Sequence, residues 1–111
     1  VNNRHLLYKE AGGETYSVTA GGVAQAFLGN VTAAAANTAF GMAIRYKAND
    51  FALSLSGGAA STDVSGSVPT VNQMTIGSRL GSAFMSGWIR SVQYYNRIAT
   101  NAQLQSRSTP T

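Results

Sequence analysis

The chain has 111 residues, enough for one domain, and its 44% hydrophobic content is too high for a disordered tail. The net charge of +4 comes from eight scattered Lys and Arg residues with no basic run, a distribution that argues against nucleic-acid binding. The absence of Cys excludes disulfides and thiolate chemistry, and no stretch approaches the roughly 20 apolar residues that membrane insertion requires.

The N-terminal part predicts three strands joined by turns that contain Gly pairs. The strands are expected over residues 4–10, 15–20 and 23–29, because apolar side chains such as Tyr16 and Val18 alternate there with Ser and Thr. The turns fall at residues 11–13 and 21–22. Residues 30–38 contain four consecutive Ala, but so short a segment makes a marginal helix, and we predict an ordered loop.

A hairpin is predicted over residues 40–48 and 51–56, with a tight turn at Asn49 and Asp50. The first strand of this hairpin carries large apolar side chains on one face and small or basic side chains on the other. The two sets are Phe40, Met42, Ile44 and Tyr46, and Ala43, Arg45 and Lys47.

The C-terminal part predicts a loop over residues 61–71, strands over residues 73–77 and 84–95, and a short helix over residues 99–106. Met74 and Ile76 are expected to point inward, and a bulge between Ile89 and Val92 would bring both onto the core face. The helix has Thr100 as its N-cap and Gln103 in the capping-box position. Its apolar contacts are expected at Ala102 and Leu104.

Short strands with frequent turn signals, and no long helical segments, favour an antiparallel all-β sandwich over a parallel α/β fold. Residues 84–100, FMSGWIRSVQYYNRIAT, resemble the closing motif of concanavalin A-like (laminin-G-like) jelly rolls. In that family an aromatic residue and a Gly precede spaced Ile, Val, Tyr and Arg residues and a short helical turn. Ile98 takes the place of the family's Leu, and Gln103 and Leu104 take the place of its closing Glu-Ile/Leu pair.

Further upstream, residues 74–77 resemble the family's strand ending in Ile-Gly, and residues 40–46 and 51–58 resemble its central strand pair. The resemblance covers residues 40–106 and implies a jelly-roll sandwich, in which Arg97 ties the chain to the final helical turn. The family's opening strands have no counterpart, so we expect a single domain, residues 1–111, from the C-terminal part of a longer chain.

A narrower resemblance, to C-terminal domains of bacteriophage tail fibre and tailspike proteins, implies an extracellular or virion location. It also implies a partner, either a cell-surface glycan or further copies of the chain in a homotrimer. The alternatives left open are a binding module, a purely structural fibre domain, and an accessory domain of a hydrolase that lies upstream.

No catalytic residue is predicted. Glu10 and Glu14 are separated by a Gly-Gly turn and lack the alternate spacing on one strand that places two carboxylates for glycoside hydrolysis. His5 is the only His and has no recognisable partner pattern. The chain is therefore expected not to be an enzyme.

The resemblance to laminin-G-like domains makes Asp50 and Asp63 candidate calcium ligands, because those domains often carry a rim calcium ion. Two carboxylates are few for such a site. We favour a turn role for Asp50 and a solvated loop for Asp63, so no metal or cofactor is predicted.

Ligand binding is assigned to Trp88, Tyr94, Arg90 and Asn96. The aromatic rings would stack on sugar rings while Arg and Asn donate hydrogen bonds to hydroxyl groups. The competing interpretation is that these rings pack in the core. Trp88 lies outside the family's Ile and Val core positions, and it is the residue that we expect to be exposed.

Overall fold

The computed structural model describes residues 2–10, 13–29, 35, 37–78 and 87–110, with the side chain of Glu10 outside this set. Two three-stranded antiparallel sheets and one short helix make up its regular structure. The elements are β1 (Arg4–Glu10), β2 (Gly13–Ala20), β3 (Val23–Gly29), β4 (Met42–Lys47), β5 (Asp50–Leu55), β6 (Ser61–Asp63) and α1 (Asn101–Ser108). The mostly β class is confirmed, whereas the jelly-roll arrangement stays a prediction.

The first sheet has the strand order β1-β2-β3, as expected for a meander. His5 lies opposite Val18, and Val18 lies opposite Ala26, so all three belong to one face. The turn between β2 and β3 consists of Gly21 and Gly22, whose positive φ angles of 59° and 79° suit Gly. The three predicted strands are confirmed, while residues 11–12 of the first turn lie outside the described residues, as does most of the loop predicted over residues 30–38.

The second sheet has the strand order β4-β5-β6. Its hairpin turns at Ala48 and Asn49, because Asp50 already pairs with Lys47, so the turn lies one residue earlier than the sequence predicts. Asn49 has a φ of 59°, a conformation that Asn adopts more readily than most residues. The short strand β6 was missed, since its Ser, Thr and Asp side chains carry no apolar alternation.

The main core lies where the inner faces of the two sheets meet. Phe51 and Tyr16 are fully buried there, one from each sheet. The remaining buried members are Val18, Ala26, Leu28 and Leu53, with Met42, Ile44, Tyr46 and Leu55 packed against them. The predicted apolar face of β4 is thereby confirmed for the residues within the strand.

Helix α1 covers the other face of the second sheet. Thr100 accepts a hydrogen bond from the Gln103 amide at 3.1 Å, and the Gln103 side chain accepts one from the Thr100 amide at 2.9 Å, which confirms the capping box. Leu104 is buried as predicted, but Ala102 is exposed. No helix in the described part of the chain is long and apolar enough to cross a membrane.

Small residues on the second sheet let this helix approach closely. Ala43 and Ala52 pack against Ala99 and Leu104. A Cβ atom added at Gly41 would collide with the carbonyl group of Ser108. Because a sheet face lies on one side and a helix on the other, four consecutive residues of β5, from position 51 to 54, are buried.

Two of the predicted strands are wrong. No strand forms at residues 73–77 or at residues 87–95, the described part of the strand predicted over 84–95. The bulge predicted between Ile89 and Val92 is therefore also wrong, since a bulge requires a paired strand. Met74 is 75% exposed and Ile76 is 56% exposed instead of inward. A strand persists only where a neighbour satisfies its backbone groups, and neither segment pairs with the outer strands of the two sheets.

Candidate functional site

A cleft of ≈ 3140 Å³ is lined by residues of β1, β2, β3, β4 and α1, by the residues just before β4, and by two extended segments, residues 70–78 and 87–98. Small-molecule pockets usually have volumes of about 300–1,000 Å³, so this cleft has room for a polymer. The four side chains predicted to bind a ligand all line it. They are Trp88, Arg90, Tyr94 and Asn96.

Trp88 is fully exposed, at 101% relative accessibility, as expected, and Tyr94 is 74% exposed. Arg90 and Asn96 are also exposed. Trp is highly buried on average in folded proteins, so an indole ring with no covering side chain is an unusual surface feature. The structure therefore places two open aromatic rings and two hydrogen-bonding side chains on one wall of the cleft.

The apolar residues of the same segment were predicted to be core, and that prediction is wrong. Ile89 is 46% exposed, Val92 is 55% exposed and Tyr95 is 45% exposed. They lack a sheet to cover them, because residues 87–98 join neither sheet. One reason for the position of Tyr95 is visible: the Arg107 guanidinium of α1 lies 4.0 Å from the centre of its ring, a cation–π contact.

An aromatic cluster that the sequence did not predict connects the two sheets at the edge of this cleft. His5 Nδ1 and the Tyr16 hydroxyl share a hydrogen bond of 2.8 Å, whose donor depends on the imidazole tautomer. The centre of the His5 ring lies 4.6 Å from that of Tyr46 on β4. Tyr94 in turn interacts with Tyr46 and contributes to its raised pKa. The cluster thus links β1, β2 and β4 to the exposed segment.

Burial is the largest cause of the pKa shifts in this cluster. It raises the pKa of the Tyr16 hydroxyl far above its usual value, with a smaller contribution from Tyr46. It also raises the pKa of Tyr46, and the neighbouring Tyr94 adds to that rise. For His5, burial lowers the pKa below the ordinary 6.5, since the charged imidazolium is the form that loses solvation.

The lowered pKa of His5 predicts that the protein loses stability on mild acidification. The unfolded chain binds a proton at His5 more readily than the folded chain, so this contribution is complete above pH 6.5 and is lost as pH falls below it. Urea unfolding at pH 7.0 and 5.5 would measure the effect. In His5→Gln the change between the two pH values should shrink; an equal change in both proteins would contradict the prediction.

The two candidate calcium ligands both have protein partners. Asp50 Oδ1 accepts a hydrogen bond of 3.0 Å from Arg45 Nε and lies 2.9 Å from its second terminal nitrogen. Asp63 Oδ1 accepts hydrogen bonds from the amide and hydroxyl groups of Ser65, a local turn arrangement. Among the described residues, no three His, Asp or Glu side chains come together as a metal site would require.

Glu14 is buried and forms an ion pair with Lys9, with Nζ and Oε1 3.3 Å apart. Lys9 lies directly opposite Glu14 in the register of β1 and β2. The third carboxylate in the described part of the chain is thereby engaged in a cross-strand contact. The side chain of Glu10, the other residue weighed for hydrolysis, lies outside the described residues.

Arg45 joins the second sheet to the start of α1. Its guanidinium donates hydrogen bonds to the Ala99 carbonyl at 3.0 Å and to Asn101 Oδ1 at 2.7 Å, in addition to its contacts with Asp50. The sequence assigned this role to Arg97, and that assignment is wrong: Arg97 is exposed and makes no hydrogen bond to another described residue.

Comparison of the chain with protein-family models, with curated proteins and with solved structures finds no match. The class is therefore defined by the fold and the cleft alone. The described part of the chain is mostly β: two three-stranded antiparallel sheets pack face to face, a short helix covers one outer face, and an aromatic-lined cleft borders β1 and β4.

Proposed function

We propose that the chain is a non-catalytic carbohydrate-binding module, of the kind found at the ends of bacteriophage tail fibres, and that it contacts a cell-surface glycan. An extracellular or virion location belongs to the same proposal. The observation that carries it is the full exposure of Trp88 on the wall of a large cleft. An indole ring offers a flat apolar face to a sugar ring at little cost in conformational entropy.

The surroundings of Trp88 support this proposal. Tyr94 supplies a second exposed ring, and its interaction with Tyr46 relates the segment to β4. Arg90 and Asn96 supply donors for sugar hydroxyl groups. The described carboxylates are each paired with Lys9, Arg45 or Ser65, which favours binding over hydrolysis.

Trp88→Ala is expected to lower glycan affinity by about tenfold or more, because a central Trp is a typical binding hot spot. The fold should be unaffected, since the ring is fully exposed. A glycan array with the wild-type protein, followed by calorimetry on its strongest hits, would measure this. Val64→Ala is the control, because Val64 is 77% exposed and does not line the cleft. Absence of glycan hits for the wild type would refute the proposal.

A second candidate function is self-association, as in a fibre homotrimer, and the exposed apolar surface favours it. Trp88 and Tyr94 together expose about 350 Å² on the usual scale of aromatic side chains. Further exposed apolar side chains in the two segments are Val71, Met74, Ile76, Ile89, Val92 and Ile98. Exposed apolar side chains of this number along one cleft are a feature of surfaces that associate with another protein.

Size-exclusion chromatography with light scattering over a range of protein concentrations distinguishes the two candidates. A trimer or dimer that resists dilution, and that Trp88→Ala converts to monomer, would support assembly through the cleft. A monomer at every concentration would eliminate the assembly role.

A further inference from the structure

The charged residues that line the cleft all have the same sign. Within the described part of the chain, no Asp or Glu side chain lines the cleft, although six basic side chains do. These six are Arg4, Lys9, Arg45, Arg90, Arg97 and Arg107. The whole chain has eight basic and four acidic residues, a ratio of two to one. The described lining of the cleft is thus more strongly basic than the chain as a whole.

Two of these six charges are already compensated. Lys9 forms its ion pair with Glu14, and Arg45 forms its ion pair with Asp50. The sign of the cleft is therefore set by the other four.

Arg90 and Arg97 are the accessible members of this group. Both are exposed, and neither forms a hydrogen bond or ion pair with another described residue. Arg107 is held over the ring of Tyr95, and the buried Nε of Arg4 has no hydrogen-bond partner. A cleft with walls of one charge concentrates ligands of the opposite charge, which here means anions.

We infer that the cleft binds an acidic glycan, a sugar chain that carries carboxylate or sulfate groups; this inference rests on the proposed function. Arg90 and Arg97 pair with the acidic groups, since the planar guanidinium matches their oxygen atoms with two parallel hydrogen bonds. Trp88 and Tyr94 contact the sugar rings that carry these acidic groups. The volume of ≈ 3140 Å³ suits several linked sugars better than a single small anion.

The remaining lining favours a glycan over a single-stranded nucleic acid, which also combines negative charge with flat rings. Amide side chains, which donate to and accept from hydroxyl groups, also line the cleft; they include Asn72, Gln73, Gln93 and Asn96. Nucleic-acid grooves stack successive bases on open aromatic rings. Here the rings of Tyr46 and Tyr95 are in contact with His5 and Arg107, so of these four aromatic residues Trp88 and Tyr94 present the open rings, fewer than a run of stacked bases would use.

The test uses the whole chain on an array of matched probes. Each acidic probe is printed beside its neutral counterpart: oligogalacturonate with its methyl ester, a heparin hexasaccharide with its desulfated form, and sialyllactose with lactose. A twelve-residue oligothymidylate is included. We expect binding to acidic members that exceeds binding to their neutral partners by about tenfold or more, and that falls with added salt.

Variants then locate the binding. Arg90→Gln and Arg97→Gln together should reduce the affinity for the acidic probe about tenfold or more. Lys47→Gln, which removes a positive charge from an exposed residue outside the cleft, should leave that affinity unchanged. An equal loss of affinity in the double Arg variant and in Lys47→Gln would overturn the assignment of the acidic groups to this cleft.

The outcomes separate this inference from the proposed function. Equal binding of acidic and neutral partners would overturn the inference while leaving a carbohydrate-binding module. Stronger binding of oligothymidylate than of any glycan would overturn both in favour of a nucleic-acid ligand. Absence of binding to every probe would likewise overturn both.

Discussion

Phe51→Ala is expected to lower the free energy of unfolding by about 3–5 kcal/mol, as large-to-small changes at fully buried aromatic residues do. Phe51 is 0% exposed and lies where the two sheets meet. Its ring also lies close to Gly66, where an added Cβ would be 3.2 Å from Cε2. Tight packing of this kind leaves the surrounding atoms little room to fill the cavity, and small domains have only about 5–15 kcal/mol of stability in total.

Urea unfolding followed by far-ultraviolet circular dichroism measures this loss. Fluorescence of Trp88 is less useful, because that ring is fully exposed in the folded protein. Val64→Ala removes apolar atoms from an exposed site and should change the stability by less than about 0.5 kcal/mol. A loss below about 1 kcal/mol for Phe51→Ala would mean that the two sheets do not share the core described above.

Local patterns in the sequence predicted the elements whose partners lie close by in the chain. The first three strands and the hairpin of β4 and β5 alternate strongly and are separated by Gly or Asn at the turns. The capping box of α1 needs only Thr100 and Gln103, three residues apart. In each case the hydrogen bonds that define the element join residues of one short segment. The sequence of that segment is therefore enough to predict the element.

The predictions failed where the outcome depends on distant partners. Residues 87–98 have an apolar pattern suited to a strand, but a strand needs an edge to pair with, and no local pattern specifies that edge. The same limit applies to Arg45, which contacts Ala99 and Asn101 more than fifty positions away. It also explains why the exposure of Trp88 was predicted, since a residue outside a core pattern needs no partner.

The cluster of His5, Tyr16 and Tyr46 illustrates what sequence alone could have offered. His5 and Tyr16 belong to the first two strands of a predicted meander. The register of that meander pairs His5 with Val18, so Tyr16, two residues before Val18, lies diagonally across from His5 on the same face. The contact of His5 with Tyr46 joins different sheets, so it follows from how the sheets pack. Only the first of these contacts was within reach of pattern analysis.

Arg45→Gln is expected to lower the free energy of unfolding by about 2–3 kcal/mol. The change removes a charged hydrogen-bond donor from Asp50, Ala99 and Asn101 at once. The loss should stay below that of a fully buried ion pair, because the Asp50 side chain is 38% exposed while that of Arg45 is 11% exposed. Urea unfolding gives the free energy, and hydrogen exchange should show α1 losing protection first.

Arg45→Lys keeps the charge but loses the planar fork, so it should recover only a minor part of the stability. Lys47→Gln is the matched control, because Lys47 lies on the same strand two residues away and is exposed. A fully stable Arg45→Lys protein would show that charge alone holds the junction. Since residues 87–98 lead directly into the Ala99 contact, Arg45→Gln should also weaken glycan binding, and unchanged affinity would show that the cleft wall is positioned independently of this junction.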